Sequence, residues 1–301
     1  MSTVMTVFRR LFYPKYELVE NEAEAGETIS KKFGMIFWLS LCWMMLITFG
    51  AIFADFLPFA DPLKSELDKK YLGLFSEDHW FGTDSIGRDL LSRMVYGGQI
   101  SLTIAYTAPV ISLVFGLVFG MSAGYFGGRT DTVVGIYVDS LLAFPNIVAV
   151  MAVLFVLDAT LINMILVLGF FGMVNDIRIS RAVTIQYRNR EFVTAARAQG
   201  ASHVRILTRE LLPNVIIPVL ALMLLGMSRV IIIEGALSFL GVGLPPPTPS
   251  WGKMIADGFA EIGYKPHVTF IPSAWMFLTI LSLNLIGDKL RSMTDPRTGN
   301  V

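Results

Sequence analysis

The sequence predicts an all-α integral membrane protein with about six transmembrane helices, and three observations support that fold class. The mean hydropathy is +0.61, and hydrophobic residues make up 54% of the 301 residues, which is well above the composition of soluble domains. Apolar runs of about 20 residues, the length that crosses a bilayer core, recur along the chain. Because hydrocarbon offers no hydrogen-bond partners, such runs must satisfy their own backbone groups as helices.

The apolar runs define the predicted spans in order. They cover roughly 34–57, 100–125, 133–157, 161–179, 211–236 and 268–286. The fourth run differs from the others because Asn175, Asp176 and Arg178 crowd its C-terminal end. We therefore count five uninterrupted spans and a sixth that carries polar residues.

Lysine and arginine are distributed unequally between the two sets of loops. They cluster before residue 33, between 178 and 209, and after 288. Cytoplasmic loops carry the excess of positive charge, so both termini and the segment 189–214 are predicted to be cytoplasmic. The first 32 residues contain five glutamates and no signal-peptide pattern. We expect them to form either a solvated tail or a helix on the membrane surface.

The segment 189–214 is polar and basic although it lies between two membrane-length runs. Asn189 is expected to cap a short helix, and Glu191 falls in its first turn, where a negative charge suits the helix dipole. Gly200 can adopt the left-handed geometry that ends this helix, and Ser202 can begin a second one. Small side chains leave the first helix almost bare, so this is a predicted docking surface for another protein. They are Thr194, Ala195, Ala196 and Ala198.

This segment resembles the "EAA" loop of ATP-binding-cassette (ABC) importer permeases. Ala195, Ala196, Gly200 and the pair Leu212-Pro213 match that pattern at the right spacing. Thr194 and Glu210 replace the glutamate and the isoleucine of the pattern, and Glu191 fits the acidic position of the peptide-permease variant. The resemblance implies coupling to a partner ATPase. The candidate coupling residues are Glu191, Thr194, Ala195, Ala196, Arg197, Gly200, Ala201, Ser202 and Arg205.

A second motif runs from His79 to Arg93. Thr83 or Asp84 is expected to cap a helix with an apolar face, which would lie along the outer membrane surface. The motif is similar to the signature of C-type dipeptide/oligopeptide permease subunits. Further matches to that family lie at 124–128, 143–145, 237–243, 246–252, 284–288 and 295–297. The predicted surface helix closes a gap between spans, contacts a delivering receptor, or forms a wall of the outer vestibule. The receptor-side candidates are Asp84, Arg88, Asp89, Arg93 and Trp251.

The resemblance covers residues 33–297 and implies a type I ABC importer permease fold in the bacterial cytoplasmic membrane. It also implies three kinds of protein partner besides the lipid bilayer, and nucleic acid is not among them. These are a homologous B-type permease subunit, two ABC ATPases that bind ATP and Mg2+, and an extracytoplasmic substrate-binding protein. The implied cargo is a di- or oligopeptide, with nickel, glutathione or an oligosaccharide as alternatives.

On this interpretation the chain divides into five parts. They are an N-terminal tail (1–32), a first transmembrane helix (33–57), an external insert with a surface helix (58–98), a permease core (99–290) with a coupling loop (188–210), and a C-terminal tail (291–301). No phosphate-binding Walker A motif is present, because Gly252-Lys253 lacks the upstream glycine. We therefore predict a transporter subunit that binds no cofactor itself, and not an enzyme.

Polar and flexible residues within the predicted spans are candidates for the pore or its gate. Arg229 is predicted either to line a water-filled path or to extend toward the outer surface. Asp139, below a kink at Pro145, has either a structural or a gating role. The full candidate set is Asp139, Pro145, Met223, Met227, Arg229 and Glu234. Two rival interpretations are an ion-coupled secondary transporter, which would need paired intramembrane carboxylates, and a non-transporting scaffold.

Overall fold

A computed structural model describes residues 34–76 and 78–294. The predicted N-terminal tail (1–32) and residues 295–301 of the predicted C-terminal tail lie outside the described residues. The helices are α1 Met35–Ile52, α2 Leu90–Phe126, α3 Gly128–Leu142, α4 Asn146–Leu157, α5 Leu161–Tyr187, α6 Glu191–Ala198, α7 His203–Arg205, α8 Leu212–Phe239, α9 Trp251–Phe259 and α10 His267–Thr294. A π-helical turn, Ile206–Leu211, joins α7 to α8.

Within the described residues, five helical segments are long and apolar enough to cross a membrane. They are α1, α2, α5, the continuous run from α7 through α8, and α10. The pair α3 and α4 passes the same test together but is bent by 86°. The count is therefore six if this pair makes one crossing, which agrees with the prediction. An even number of crossings leaves the start of α1 and the end of α10 on the same side.

The third predicted span is broken and not merely kinked. Helix α3 ends at Ala143 and α4 begins after Pro145. Proline lacks a backbone N–H and pushes the preceding residue out of the helical region, so the helix cannot run through this point. The prediction of a kinked continuous span over 133–157 is corrected to two helices that meet at a corner.

The separate surface helix predicted for the external insert is also wrong. Residues 90–98 are the first turns of α2, which has 37 residues and is about 55 Å long at the usual rise per residue. Asp89 caps α2 by accepting the Ser92 N–H at 2.7 Å. Thr83 is not available as a cap, because its hydroxyl accepts the Leu72 N–H at 2.9 Å and donates to the Lys69 carbonyl.

The closest helix packing joins α2 to α5. A Cβ on Gly120 would lie 2.5 Å from the Ile177 carbonyl oxygen, and one on Gly124 would lie 2.8 Å from the Arg181 carbonyl oxygen. Together with Gly116, these glycines recur every four residues along one face of α2. Small residues at this spacing let two membrane helices approach closely without a hydrophobic driving force. This pair forms the rigid centre from which the functional elements extend.

Candidate functional site

The candidate site is the elbow, which we define as residues 190–211. Its first helix, α6, begins after Arg190, which makes no side-chain cap. The prediction that Asn189 caps this helix is therefore wrong by one residue. Arg190 occupies the N-cap position, so Asn189 lies one residue too early to cap it. Glu191 does lie in the first turn of α6, where its charge favours the exposed N–H groups.

The end of α6 is fixed by a Schellman motif. The Gly200 N–H donates to the Arg197 carbonyl and the Ala201 N–H donates to the Ala196 carbonyl, each at 3.0 Å. Gly200 has φ +78°, a left-handed conformation that glycine adopts without steric cost. The predicted left-handed conformation of Gly200 at the end of this helix is confirmed. The two bonds satisfy carbonyl groups that the end of a helix otherwise leaves without partners.

The second half of the elbow leads without a break into a membrane helix. The Ser202 side chain accepts the Arg205 N–H and so caps α7, as predicted. The π-helical turn follows, in which the Leu212 N–H bonds to the Leu207 carbonyl. This turn shifts the hydrogen-bond register just before Pro213, which has no N–H to donate. The helical path from His203 to Phe239 is therefore continuous.

The inner face of the elbow is anchored to the helix bundle. Val193 and Ile206 are buried and pack in one apolar cluster with Tyr125 of α2. The Arg197 guanidinium carbon lies 5.2 Å from the centre of the Tyr125 ring, within the range of a cation–π interaction. The Tyr125 hydroxyl and Nδ1 of His203 are 2.9 Å apart. The elbow is therefore positioned by packing on α2, and its two short helices share one anchor.

The outer face of the elbow is open to contact. Seven of the nine predicted coupling residues are exposed. The other two, Ala196 and Ala201, are half-buried and are joined by one bond of the Schellman motif. The exposed seven are Glu191, Thr194, Ala195, Arg197, Gly200, Ser202 and Arg205. The structure adds Phe192, 38% exposed, and Val204, 70% exposed, which the sequence analysis missed. Phe192 lies three residues before Ala195 and so shares its helix face, which places an aromatic side chain beside the small ones.

Arginines surround the elbow and brace the helix ends beneath it. Arg181 of α5 pairs with Asp131 of α3, with Nη2 and Oδ2 2.7 Å apart. Arg188 donates to the Gly124 carbonyl at 2.9 Å. These bonds join the ends of α2, α3 and α5 that lie next to the elbow. Positive charge is therefore concentrated here, in keeping with the side predicted from the loop charges.

The predicted receptor-side residues do not form an exposed surface. Asp84, Asp89, Arg93 and Trp251 are all buried, and the side chain of Arg88 is only 13% exposed. A direct receptor contact for the four buried residues is therefore wrong. Charged side chains are rarely buried unless they are paired, and a sequence does not show which charges pair.

These residues instead build a packed cap over the outer helix ends. Asp84 accepts from Nε of Arg88 at 2.7 Å and faces Nε of Arg93 at 3.5 Å. Nδ1 of His79 lies 2.9 Å from Oδ1 of Asp89. Trp251 donates its indole N–H to the Met94 carbonyl at 2.9 Å. The motif from 79 to 93 is therefore a structural unit, held by paired charges that lie away from solvent.

The pore candidates divide into buried and exposed groups. Glu234 is fully buried and accepts from Ser250 at 2.8 Å and from Ser238 at 3.0 Å. Met227 is buried as well, so neither residue lines an open surface in this conformation. Their assignment to the pore or its gate stays a prediction. Met223 is half-buried. The remaining candidates are exposed, so their assignment to the pore stays a prediction; they are Asp139, Pro145 and Arg229.

Comparisons with known proteins agree with this architecture. The family described as "Binding-protein-dependent transport system inner membrane component" matches residues 116–300. The oligopeptide transport system permease protein OppC of Bacillus subtilis is 35% identical over 274 residues, covering 89% of this chain and 87% of that protein. The di/tripeptide transport system permease protein DppC of Pseudomonas aeruginosa is 35% identical over 269 residues, covering 86% and 88% of the two chains.

Two further comparisons concern cargo and fold. The glutathione transport system permease protein GsiD of Escherichia coli is 38% identical over 222 residues, covering 74% of this chain and 73% of that protein. The inward-facing MetNI methionine ABC transporter aligns with a TM-score of 0.55 at 17% identity, covering 67% of this chain and 96% of the matched chain. At this identity the structural likeness shows the fold alone, and that fold is the one expected from the sequence.

Proposed function

Because this chain belongs to the family of binding-protein-dependent transport system inner membrane components, we propose that it is one permease half of an ATP-driven importer. The observation that carries the proposal is the elbow. Its outer face is exposed and rich in small side chains, and its inner face is packed against α2. The elbow continues into α8 as one helix. Such an element transmits force from a docked protein to the membrane helices.

The ATPases are partner chains on this proposal, and ATP and Mg2+ bind there. A cleft on one of the two ATPases receives the face of α6 that carries Ala195 and Phe192, and the B-type permease docks on the other. ATP binding draws the ATPases together and moves the elbow with them. Because the run from His203 to Phe239 is helical throughout, displacement of the elbow tilts α8 and changes which side of the membrane the path opens to. Nucleotide shifts the population between two arrangements by binding one of them more tightly.

The proposed assembly has four kinds of subunit. A homologous B-type permease completes the path, two ABC ATPases drive it, and an extracytoplasmic substrate-binding protein delivers cargo. Both termini and the elbow face the cytoplasm of a bacterial cell. An even number of membrane crossings and the cluster of arginines at 181, 188, 190 and 197 support this orientation.

The proposed cargo is a di- or oligopeptide. The support comes from relatives named as oligopeptide and di/tripeptide permeases, each matched over more than four fifths of both chains. Glutathione is the second candidate, because a glutathione permease is 38% identical over a shorter stretch. Both candidates are small molecules with a free amino group and free carboxylates. Competition between radiolabelled dipeptide and glutathione for uptake separates the two.

Co-purification tests the docking role of the elbow. We expect the affinity-tagged chain, expressed with its neighbouring transport genes, to retain the ATPases. We expect Ala195→Trp to retain less ATPase, because the large ring prevents close approach of the copy that docks on this elbow. Ala260→Trp is the matched control, since Ala260 is exposed beyond the end of α9 and far from the elbow along the chain. Retention of the ATPases by Ala195→Trp at wild-type level would contradict the proposal. So would ATP-independent uptake by the chain without ATPases, which is the behaviour of an ion-coupled transporter.

A further inference from the structure

Arg229 is a charged residue at membrane depth on α8. It lies about 25 Å along the helix from Leu212 and about 15 Å from Phe239, at 1.5 Å per residue. Its side chain is exposed. Within the described ranges, the guanidinium of Arg229 makes no hydrogen bond or ion pair. An arginine at this depth is costly unless it faces water or a partner. The guanidinium N–H groups of Arg229 are therefore available to bind a ligand.

Asp176 of α5 and Arg229 of α8 lie at one level of two helices that pack together. Phe171 and Val230 share an apolar cluster on one side of this level, and Val183 and Val219 share another on its other side. Asp176 is half-buried and about 16 Å along its helix from Tyr187. The Ser112 hydroxyl of α2 donates to Oδ2 of Asp176, which fixes the position of the carboxylate. The Asp176 side chain also packs where a Cβ on Gly116 would lie. One carboxylate and one guanidinium are thus held near each other at a junction of three helices, without bonding directly.

Two opposite charges that are close but not paired favour a ligand that carries both charges. A directly bonded salt bridge would neutralise itself and leave nothing for a ligand. Here the Ser112 hydroxyl donates to Asp176, and the two charged groups do not bond to each other. The Arg229 guanidinium can therefore form a bidentate contact with the carboxylate of a ligand. The surrounding helices are apolar, so few other polar groups compete for a polar ligand at this level.

We propose that Asp176 and Arg229 form a zwitterion site on the translocation path, at which Arg229 binds the carboxylate of the cargo and Asp176 binds its ammonium group. The inference rests on the proposed function and narrows its cargo to molecules that carry a free amino group and a free carboxylate. An uncharged oligosaccharide would gain nothing from such a site. Asp176 was noted in the sequence only as a residue that interrupts an apolar run.

The test uses the complete importer reconstituted in liposomes with saturating, loaded binding protein. We compare the uptake of a dipeptide with that of its C-terminal amide, in the wild type and in Arg229→Gln. For each importer we take the ratio of free-acid uptake to amide uptake. The same binding protein delivers both cargoes in both importers, so its own preference cancels when the variant's ratio is divided by the wild-type ratio. We expect the ratio of free acid to amide to fall at least tenfold in Arg229→Gln and to be largely restored in Arg229→Lys. Persistent uptake of the amide shows that the variant is folded and coupled.

The second arm compares the dipeptide with its N-acetyl derivative in Asp176→Asn, where we expect the ratio of free amine to acetylated peptide to fall at least tenfold. Arg178→Gln is the matched control, because Arg178 is an exposed arginine two residues from Asp176, and both of its ratios should stay within twofold of wild type. Unchanged ratios in Arg229→Gln and Asp176→Asn, with wild-type uptake intact, overturn this inference alone. Absence of ATP-dependent uptake in the wild type overturns the proposed function first.

Discussion

Replacing Gly200 by alanine tests whether the elbow depends on one left-handed residue. Gly200 has φ +78°, and a Cβ built on it meets no atom within 4 Å. The added methyl therefore causes no collision, and the whole cost is conformational, about 1–2 kcal/mol for an L-residue in this region. Asparagine tolerates the left-handed conformation far better than alanine. Gly200→Asn is thus a matched variant that also adds a side chain but avoids most of the strain.

The strain should appear as local opening of α6. This helix has eight residues, too few to be stable without its packing and its cap. A cost of about 1–2 kcal/mol raises the open population roughly 5–30-fold. Hydrogen–deuterium exchange of the amides at 199–201 measures this directly, because the amides of residues 200 and 201 make the two bonds of the Schellman motif. Affinity for the partner ATPases should fall only in proportion to the loss of the closed fraction. Equal exchange in Gly200→Ala and Gly200→Asn would refute this reasoning.

Three further predictions concern the packing of α2 on α5 and the insert that precedes α2. Gly120→Ala should lower the stability of the protein in detergent by roughly 1–3 kcal/mol, because the added methyl overpacks against the Ile177 carbonyl. A Cβ on Gly226 meets open space, so Gly226→Ala should be neutral or stabilising. Equal melting temperatures for the two variants would contradict the close packing. Asp84→Asn should cost roughly 3–5 kcal/mol, because it removes the carboxylate that pairs with the buried Arg93. Lys253→Gln, at the partly exposed Lys253–Asp257 pair, should cost less than about 1 kcal/mol. Similar losses in the two variants would exclude a buried network. Lys64 and Lys69 pair with Glu66 and lower the pKa of its carboxyl from 4.5 to about 2. The stabilising contribution of the Glu66 charge is therefore full above pH 4.5 and lost as the pH falls toward 2. A stability difference between the wild type and Glu66→Gln that stays constant over that range would contradict this pairing.

Local chemistry made much of the elbow predictable. The left-handed glycine, the serine cap and the acidic first turn each follow from one residue type at one position. The number of crossings followed from the length of apolar runs, which bilayer thickness fixes. The break between α3 and α4 had a signal in Pro145, but hydropathy alone joined the two helices into one run.

The errors concern burial that depends on distant parts of the chain. Asp84 and Arg93 look like surface charges until the fold pairs them, and Trp251 finds its acceptor at Met94, which is 157 positions away. Glu234 lies in an apolar run, where a carboxyl suggests function, and the sequence does not show that this side chain is buried. One of the groups that donate to the Glu234 carboxyl is Ser250, which lies beyond the end of α8, at the start of α9. The exposure of Phe192 and Val204 likewise depends on which face of each short helix packs against α2.

The proposed function requires that the elbow is a cytoplasmic contact for partner ATPases. The chain has a single cysteine, Cys42, so Ala195→Cys in a Cys42→Ala background gives one thiol at the elbow. The measurement is its rate of labelling by a membrane-impermeant maleimide in oriented vesicles. We predict rapid labelling in inside-out vesicles stripped of ATPases and strong protection when the ATPases are added back. Labelling from the external face, or an unchanged rate with the ATPases bound, would contradict the account.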